Sequence, residues 1–329
     1  MDARHIKVFG ECGTYAGWPA NHGAWQWGDE FLVGFLQGKH NPGYGMHNVS
    51  GGLIKMQARS LDGGESWTVE YPNVDFEAQE TRPSPKFDTT TSIIRVCGGY
   101  DHGGELCHRE GGFYLSRDRG KTWDGAFSFD GFNISDKQMA TSRTCVLGDL
   151  IFLSARNSNH WGSDFTFCAK MVDGKFFGRS IVLSDDARAV MPAVARVRGR
   201  IVVAMRRLGT RRPGGWIDSV LSDDEGLTWS EPVHVAETGR DNGNPPALIE
   251  SDGVLYCAYG NRSSYTIEVM SSKDGGYSWQ AHAELRRSST PDIGYPRLFR
   301  RTDGKLVCVY YWTEEFEEPQ RIEATIFAT

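Results

Sequence analysis

Short apolar runs occur in pairs along the whole chain, and a glycine-containing turn separates the two runs of each pair. The clearest three copies occupy residues 191–207, 244–262 and 295–312, with their turns at Gly199, Gly253 and Gly304. Looser copies occupy residues 18–37, 83–98 and 139–156. Two apolar runs around a glycine turn are typical of a β-hairpin. The pattern therefore predicts six antiparallel hairpins and an all-β fold.

A second repeat, an octapeptide of the form Ser-x-Asp-x-Gly-x-(Ser or Thr)-Trp, lies between the hairpins. It occupies residues 60–67, 116–123, 222–229 and 272–279. Successive copies are one or two units of about 53 residues apart, so a degenerate copy is expected at residues 171–176. A unit of this length matches one four-stranded propeller blade. We predict one domain spanning residues 1–329, a six-bladed β-propeller closed by its N-terminal and C-terminal strands in a shared blade.

The residue types of the octapeptide point to a role in folding. Ser and Asp side chains can hydrogen-bond to the backbone of their own turn, and glycine adopts positive φ angles without strain. The tryptophan buries a large apolar face between blades. We therefore expect the functional residues at the rim opposite these turns.

Composition and charge argue against several classes of partner. The formal charge of −6 and the pI of about 5.9 give little electrostatic support for a nucleic-acid or membrane partner. The seven cysteines are scattered and lack CxxC spacing, so we expect reduced thiols and a cytoplasmic location. The sequence contains no motif for a metal, a phosphate loop or a dinucleotide, so neither a metal nor a cofactor is expected.

The hairpins also predict where polar side chains converge. When a hairpin begins near the propeller axis, the start of its first strand and the end of its second lie at the same rim. The second strands of three successive blades end in arginines, namely Arg156, Arg206 or Arg207, and Arg262. Arginine binds carboxylates through paired, charge-assisted hydrogen bonds. The cluster predicts either an anion-binding site or arginines paired with acidic neighbours.

The starts of the first strands supply further candidates: Trp18, His22, Asp88, Arg143, Met191, Asn244, Asp292, Tyr295 and Arg297. Tyr311 stands at the end of a second strand. A tryptophan face suits stacking against a sugar, with packing between blades as the alternative. An imidazole titrates near neutral pH, which suits proton transfer, with a hydrogen-bonded loop residue as the alternative.

The octapeptides, the blade count and the hairpin pattern resemble the sialidase superfamily of Asp-box (BNR-repeat) propellers over nearly the whole chain. The Gly-Asn-Pro-Pro and Asp-x-Gly-Tyr-Pro-Arg segments, residues 243–246 and 292–297, are similar to those of bacterial proteins described as exo-sialidase-like. The resemblance implies a carbohydrate substrate and a nucleophilic Tyr295. It also implies that Arg262, and Arg206 or Arg207, belong to an arginine triad that binds the substrate carboxylate.

The chain departs from the sialidase pattern at two positions. Its first strand reads Ala-Gly-Trp-Pro over residues 16–19, where the family has the first triad arginine. The glutamate that would pair with the tyrosine is replaced by Met191, or by Asn244 if the alignment moves by one blade. Some propeller glycosidases and uronate lyases that resemble this superfamily use histidine as acid or base. Histidines precede the first two octapeptides at His40, His47, His102 and His108.

These observations favour a glycoside hydrolase that acts exo on an acidic or otherwise polar glycan terminus. Tyr295 would be nucleophile or electrostatic stabiliser, Asp88 or His22 the proton donor, and Arg206 and Arg262 the anion clamp. One alternative is a polysaccharide lyase acting on a uronate, with His22 or Tyr295 as base. The other is a glycan-binding propeller without catalysis, which the two departures favour. The sequence leaves the sugar and the oligomeric state open.

Overall fold

A computed structural model describes residues 3–44, 47–74, 76, 80–97, 112–129, 143–156, 164–209 and 214–329. These residues consist almost entirely of β-strands and turns, with one 3₁₀ turn at Pro19–Asn21. The strands form six sheets, which are the blades of a β-propeller. The predicted all-β fold with six blades is confirmed. No helix within the described ranges is long and apolar enough to span a membrane.

In chain order the strands are β1 (Ala3–Phe9), β2 (Thr14–Gly17), β3 (Ala24–Trp27), β4 (Glu30–His40), β5 (Val49–Ser60), β6 (Thr68–Glu70), β7 (Ile93–Cys97), β8 (Gly112–Ser116), β9 (Asp124–Ser128), β10 (Thr144–Leu147), β11 (Leu150–Arg156), β12 (Asp164–Val172), β13 (Lys175–Leu183), β14 (Ala187–Val197), β15 (Arg200–Gly209), β16 (Gly215–Ser222), β17 (Val233–Gly239), β18 (Ala247–Ser251), β19 (Val254–Asn261), β20 (Thr266–Ser272), β21 (Gln280–Arg287), β22 (Gly294–Arg300), β23 (Leu306–Trp312) and β24 (Arg321–Phe327).

Within each blade, strands that follow one another in sequence lie side by side. The sheet orders are β2-β4-β5-β6 with β3 also paired to β4, β7-β8-β9, β10-β11-β12-β13, β14-β15-β16-β17, β18-β19-β20-β21 and β1-β24-β23-β22. In the last sheet the N-terminal strand pairs antiparallel with the C-terminal strand, and Ile6 lies opposite Ala324. Most strand pairing is therefore local, and the pairing of β1 with β24 joins the two ends of the chain.

Five of the six predicted hairpins are present, as β3–β4, β10–β11, β14–β15, β18–β19 and β22–β23. The hairpin predicted for residues 83–98 is different. Residues 83–88 form no strand, and only the second half of the segment enters a sheet, as β7. Pro83 and Pro85 explain the difference, because proline has no backbone N–H to donate to a neighbouring strand.

The four octapeptides form one kind of turn, which connects the last two strands of its blade. In the last copy Gly276 N donates to Ser272 Oγ over 2.9 Å, and Ser278 N donates to Asp274 Oδ1 over 3.0 Å. The other three copies repeat these bonds at the corresponding residues. The degenerate copy occupies the same place as the β12–β13 turn, where Asp173 and Gly174 both have positive φ. The folding role predicted for the repeat follows from these contacts.

Contacts group the chain into two compact units. Unit 1 comprises Met1–Tyr71, Gly214–Ile217 and Val235–Thr329, and unit 2 comprises Pro72–Pro213 and Asp218–His234. The core of unit 1 includes the fully buried Tyr310, Trp312 and Phe327. Unit 2 has one aromatic core around Phe113 and one aliphatic core around Val203, with a fully buried ion pair between Arg188 and Asp164.

Candidate active site

Three hairpins begin with the same backbone feature, a non-glycine residue in the left-handed region directly before a proline. The residues are Trp18, Met191 and Tyr295, with φ angles of 55°, 56° and 51°. Left-handed backbone is unfavourable for side chains with a Cβ, so it persists only where surrounding contacts hold it. The Tyr295 N–H donates to Asn244 Oδ1 over 2.9 Å, and the Met191 N–H donates to Ser154 Oγ over 2.8 Å. Hydrogen bonds from neighbouring side chains therefore hold the backbone at the starts of two of these hairpins.

Around Tyr295, side chains from three blades of unit 1 meet at the fully buried Tyr311. We call this set the Tyr311 cluster; its members are Tyr15, Trp18, His47, Arg262, Asp292, Tyr295, Tyr311 and Gln320. The ring of Tyr311 lies 5.9 Å from that of Tyr295 and 6.2 Å from that of Trp18, between centroids. Its hydroxyl donates to Asp292 and accepts a 3.4 Å hydrogen bond from Arg262. Tyr311 thus links the cationic, anionic and aromatic members of the cluster.

Asp292 is the anionic centre of the cluster, with only 3% of its side chain exposed. Its Oδ1 accepts hydrogen bonds from the Tyr311 hydroxyl and from His47 Nδ1, each over 2.7 Å. Its Oδ2 accepts a third, also 2.7 Å long, from Gln320 Nε2. Hydrogen bonds of this kind stabilise the ionised form of a buried carboxylate. Both oxygens of Asp292 are therefore engaged in hydrogen bonds.

His47 reaches the cluster from the connection between β4 and β5. The next residue, Asn48, is fully buried and holds this connection in place: its Nδ2 donates to the carbonyl oxygen of Phe316, and its Oδ1 accepts from Gly43 N over 2.9 Å. The ring of His47 meets Trp18 edge-on, with 4.9 Å between centroids. It keeps 29% of its side chain exposed. His47 is therefore held by Asp292 and Trp18 while it remains open to solvent.

Arg262 supplies the positive charge of the cluster from the end of β19. Its NH1 group donates to the carbonyl oxygen of Asp241 over 2.7 Å, and its NH2 group donates to Tyr311. Its Nε is buried and has no hydrogen-bond partner in the part of the chain that the structure describes. Burial alone would lower the pKa of Arg262, but Tyr311, Tyr295 and Asp292 raise it above its usual value. Arg262 therefore remains a guanidinium cation in a buried position.

The two inner tyrosines of the cluster stay protonated. Burial raises the pKa of Tyr311 well above its usual range, and the charge of Asp292 raises it further. The pKa of Tyr15 is raised for the same two reasons. Neither phenol is therefore suited to act as a nucleophile, because attack requires loss of the phenolic proton. Tyr295, 6% exposed, is the tyrosine of the cluster that remains a candidate for contact with a substrate.

Three further predicted residues, Asn244, Arg297 and His22, belong to unit 1. Asn244 is fully buried, and its side chain is bonded to the backbone of Tyr295 and, over 3.2 Å, to the carbonyl oxygen of Ile293. Arg297 donates to the carbonyl oxygens of Pro19 and Ala20, so it anchors the 3₁₀ turn that follows Trp18. His22 ends that turn and is also buried. For Asn244 and Arg297 the contacts indicate positioning, and their direct contact with a substrate stays a prediction.

The remaining predicted residues belong to unit 2. Arg206 is buried and donates to Met191 Sδ over 3.5 Å. Arg207 forms ion pairs with Asp185, at 2.5 Å, and with Asp218, at 3.3 Å, so for this residue the alternative of acidic neighbours holds. Arg143 is buried at the start of β10. The side chain of Arg156 lies outside the described residues, as do His102 and His108.

Asp88, the other predicted proton donor, is exposed in a turn of unit 2. Its Oδ1 accepts hydrogen bonds from the N–H and the hydroxyl of Thr90, each over 2.8 Å. These bonds lower the pKa of Asp88. A proton donor needs a raised pKa to stay protonated near neutral pH, so this environment suits a structural turn and not acid catalysis.

The sequence placed Asp292 among the strand starts and Tyr311 among the strand ends without giving either a role, named His47 as one of several histidines that could act as acid or base, and gave no signal for Gln320. Asp292 lies near the start of β22, three residues before Tyr295. Tyr311 lies near the end of β23, one residue before Trp312. His47 and Gln320 lie in connections between strands, where no spacing marks them. Within the described ranges no group of three or more His, Cys, Asp or Glu side chains could hold a metal ion.

Comparison with protein-family models matches residues 101–308, more than half of the chain, to the BNR repeat-like domain. The chain belongs to this family. The predicted membership of the sialidase-like superfamily is thereby confirmed. No curated protein matches the chain. The sequence family thus agrees with the blade repeat, and the structures below extend the agreement to the fold.

Solved structures share the fold at low sequence identity. A Dyadobacter fermentans protein described as of unknown function is 14% identical, with a TM-score of 0.72 and 98% of each chain covered. A GH93 α-L-arabinofuranosidase of Fusarium graminearum, solved with arabinobiose, is 12% identical, with a TM-score of 0.63 and coverage of 98% and 97%. Trypanosoma rangeli sialidase, solved with sialic acid, is 10% identical, with a TM-score of 0.62, and the match covers 99% of this chain and 59% of the sialidase. These structures share their propeller fold with the chain.

Proposed function

We propose that the protein is a glycoside hydrolase that removes a terminal sugar from an acidic or otherwise polar glycan. The observation that carries the proposal is the Tyr311 cluster. In this cluster the buried cation Arg262, the buried carboxylate of Asp292 and the partly exposed His47 lie together with Tyr295. Two of the similar structures are glycosidases, which supports the same reaction class. Glycoside cleavage needs positive charge to be stabilised at the anomeric carbon and a proton to be delivered to the leaving oxygen.

Tyr295 is the residue of the cluster suited to the anomeric carbon. Its backbone is held by Asn244, so the position of its ring is fixed before a substrate binds. A fixed phenolic oxygen stabilises the positive charge that develops on the sugar, because no reorganisation is needed during the reaction. Tyr295→Phe should therefore lower kcat by on the order of 100-fold with little change in KM.

Arg262 is the residue suited to an anionic substrate group. The buried guanidinium has a free Nε among the described residues and only one carboxylate, Asp292, linked to it through Tyr311. A substrate carboxylate would complete its hydrogen bonds with a charge-assisted contact. Trp18 lies at the edge of the same cluster, where an aromatic face can cover a sugar ring.

The test is a screen of acidic and neutral aryl glycosides and glycans in heavy-oxygen water, with the products analysed by mass spectrometry. A hydrolase releases one terminal sugar that carries one heavy oxygen. Tyr277→Phe serves as the matched control, since Tyr277 is an exposed tyrosine of the last octapeptide. A product with an added double bond and no heavy oxygen would establish a lyase instead. Binding without turnover would establish a glycan-binding propeller.

A further inference from the structure

The hydrogen bond between His47 and Asp292 has a defined direction. The two atoms involved are His47 Nδ1 and Asp292 Oδ1, 2.7 Å apart. An ionised carboxylate has no hydrogen to donate, so Nδ1 must carry the hydrogen of this bond. The other ring nitrogen, Nε2, is then the one that gains or loses a proton. A carboxylate that fixes the tautomer and orientation of an imidazole is how proteins prepare histidine for proton transfer.

The surroundings of this pair separate its two members. Asp292 is 3% exposed and accepts hydrogen bonds from Tyr311 and Gln320 as well as from His47, so both of its oxygens are engaged away from solvent. His47 is 29% exposed and rests against Trp18. A molecule that covers the face of Trp18 would therefore meet the imidazole and not the carboxylate.

We propose that His47 is the residue that exchanges protons with the substrate, and that Asp292 positions it. The inference rests on the proposed function and assigns a proton donor that differs from His22 and Asp88. His22 is buried at the end of the 3₁₀ turn, and Asp88 is an exposed turn residue of unit 2 whose pKa is lowered by Thr90. His47 combines partial exposure with a ring held by Asp292.

The proton balance of the reaction is simple. Protonated His47 gives its Nε2 proton to the glycosidic oxygen while the bond from that oxygen to the anomeric carbon breaks. The bonding electrons stay with the oxygen, and the alcohol leaves. Water then bonds to the anomeric carbon, and the proton that this water releases returns to Nε2. The imidazole therefore ends in its starting state, and Tyr295 faces the positive charge that forms on the sugar.

The charge state of His47 depends on the groups around it, which are Asp292, Arg262 and the three phenols of Tyr15, Tyr295 and Tyr311. Tyr15 and Tyr311 are neutral over the working pH range because burial and Asp292 raise the pKa of each. Arg262 stays a cation, and Asp292 accepts hydrogen bonds from its neighbours. His47 is thus a partly exposed imidazole beside two neutral phenols and one buried cation.

The leaving group provides the test. Two glycosides with the same sugar are compared, a dinitrophenyl glycoside, whose leaving group needs no proton, and an alkyl glycoside, whose leaving group does. His47→Gln should lower kcat/KM for the alkyl glycoside by on the order of 100- to 10,000-fold and spare the dinitrophenyl glycoside. It should also remove the alkaline limb of the pH profile. Asp292→Asn should show the same selectivity to a smaller extent.

Two controls keep the result specific. His234 also has Nδ1 near an aspartate, 3.4 Å from Asp218 Oδ1, but it belongs to unit 2. His234→Gln should leave both rates unchanged. Tyr295→Phe should lower both rates, since its role does not depend on the leaving group. Equal losses for the two glycosides in His47→Gln would overturn the assignment and leave the hydrolase proposal standing.

Nitrogen NMR of the imidazole decides the same question without a substrate. In the neutral state His47 is expected to carry its hydrogen on Nδ1, and Asp292→Asn is expected to shift the ring towards the Nε2–H form that free histidine favours. An Nε2–H tautomer in the unaltered protein would overturn the inference. Failure of the glycoside screen would overturn the proposed function and the proton transfer that rests on it, whereas the tautomer would still show whether Asp292 positions His47.

Discussion

Asn244 Oδ1 accepts the backbone N–H of Tyr295 over 2.9 Å, and this bond joins the two sequence segments that carried the resemblance to exo-sialidase-like proteins. Asn244 belongs to the Gly-Asn-Pro-Pro segment that precedes β18, and Tyr295 to the Asp-x-Gly-Tyr-Pro-Arg segment that enters β22. The two segments therefore occur together for a physical reason: one holds the left-handed backbone of the other.

Asn244→Ala should destabilise the protein and reduce activity together. It leaves the buried N–H of Tyr295 without an acceptor and also frees the carbonyl oxygen of Ile293, at a cost of about 1–3 kcal/mol. Urea unfolding followed by tryptophan fluorescence measures the loss. Asn73→Ala removes an exposed asparagine and should unfold with the unaltered protein. Equal midpoints for the two variants would contradict the anchoring role of Asn244.

Gly294→Ala should cost more stability than Gly304→Ala. Both glycines have positive φ, 111° and 86° respectively. A Cβ at position 294 would lie 2.3 Å from Asn244 Oδ1, whereas one at position 304 would meet nothing within 4 Å. The second variant therefore reports backbone strain, about 1 kcal/mol, and the first adds the displacement of Asn244. The pair is compared by urea unfolding, and equal losses would show that Asn244 can move without cost.

Arg262→Lys should weaken the binding of an acidic substrate more than that of a neutral one. Lysine keeps the charge but loses the planar fork and the Nε donor. A lost charge-assisted hydrogen bond of about 1.5–3 kcal/mol corresponds to a rise in KM of roughly 10- to 100-fold. The comparison uses an acidic and a neutral glycoside hydrolysed by the unaltered protein. Arg287→Lys, at an exposed arginine paired with Glu284, is the control. A rise in KM of the same size for both substrates would exclude anion recognition by Arg262.

The last octapeptide turn should make stability depend on pH in the acid range. Burial would raise the pKa of Asp274, but hydrogen bonds from the hydroxyl and N–H of Ser278 and the hydroxyl of Ser272 lower it to about 2. An aspartate is protonated near pH 4 in the unfolded chain, so this stabilisation is complete above about pH 4 and is lost as the pH falls to about 2. Asp274→Asn should therefore unfold at a lower temperature at neutral pH, with the difference narrowing between these two values.

Asp186→Asn, at an exposed aspartate outside the repeat, is the control for the acid range. Its thermal midpoint should follow that of the unaltered protein at every pH. A difference between Asp274→Asn and the unaltered protein that stayed constant down to about pH 2 would show that the carboxylate charge of Asp274 adds nothing to the turn.

Local signals predicted the frame of the molecule. Each octapeptide forms its turn within eight residues, and its Ser and Asp side chains bond to the backbone of the same turn. All the residues that stabilise the turn are therefore visible in one short segment of the sequence. Tyr295 and Arg262 could be named as candidates because the starts and ends of hairpins are also marked locally in the sequence. Residues 83–88 failed as a strand because two prolines outweighed the apolar pattern around them.

The contacts of the Tyr311 cluster join residues that are far apart in the sequence, which explains why the sequence did not predict them. His47 and Asp292 are 245 positions apart in the chain, and no spacing within either segment indicates the other. Asn244 was predicted as a candidate for substrate binding, but its side chain bonds to the backbone of Tyr295. The sequence around Asn244 does not indicate this partner. The cysteines followed the expectation where their side chains are described: Cys12, Cys145, Cys168, Cys257 and Cys308 are free thiols.

Asn48 fastens the connection that carries His47 to the carbonyl oxygen of Phe316, so the histidine is supplied by an appendage while Asp292 and Tyr295 belong to the blades themselves. Under the proposal made above, the proton donor is thus an exchangeable part. A connection of another length or sequence between β4 and β5 would replace it without disturbing a single strand pair. Under the same proposal, a change confined to this loop would change the proton donor while the blades keep their structure.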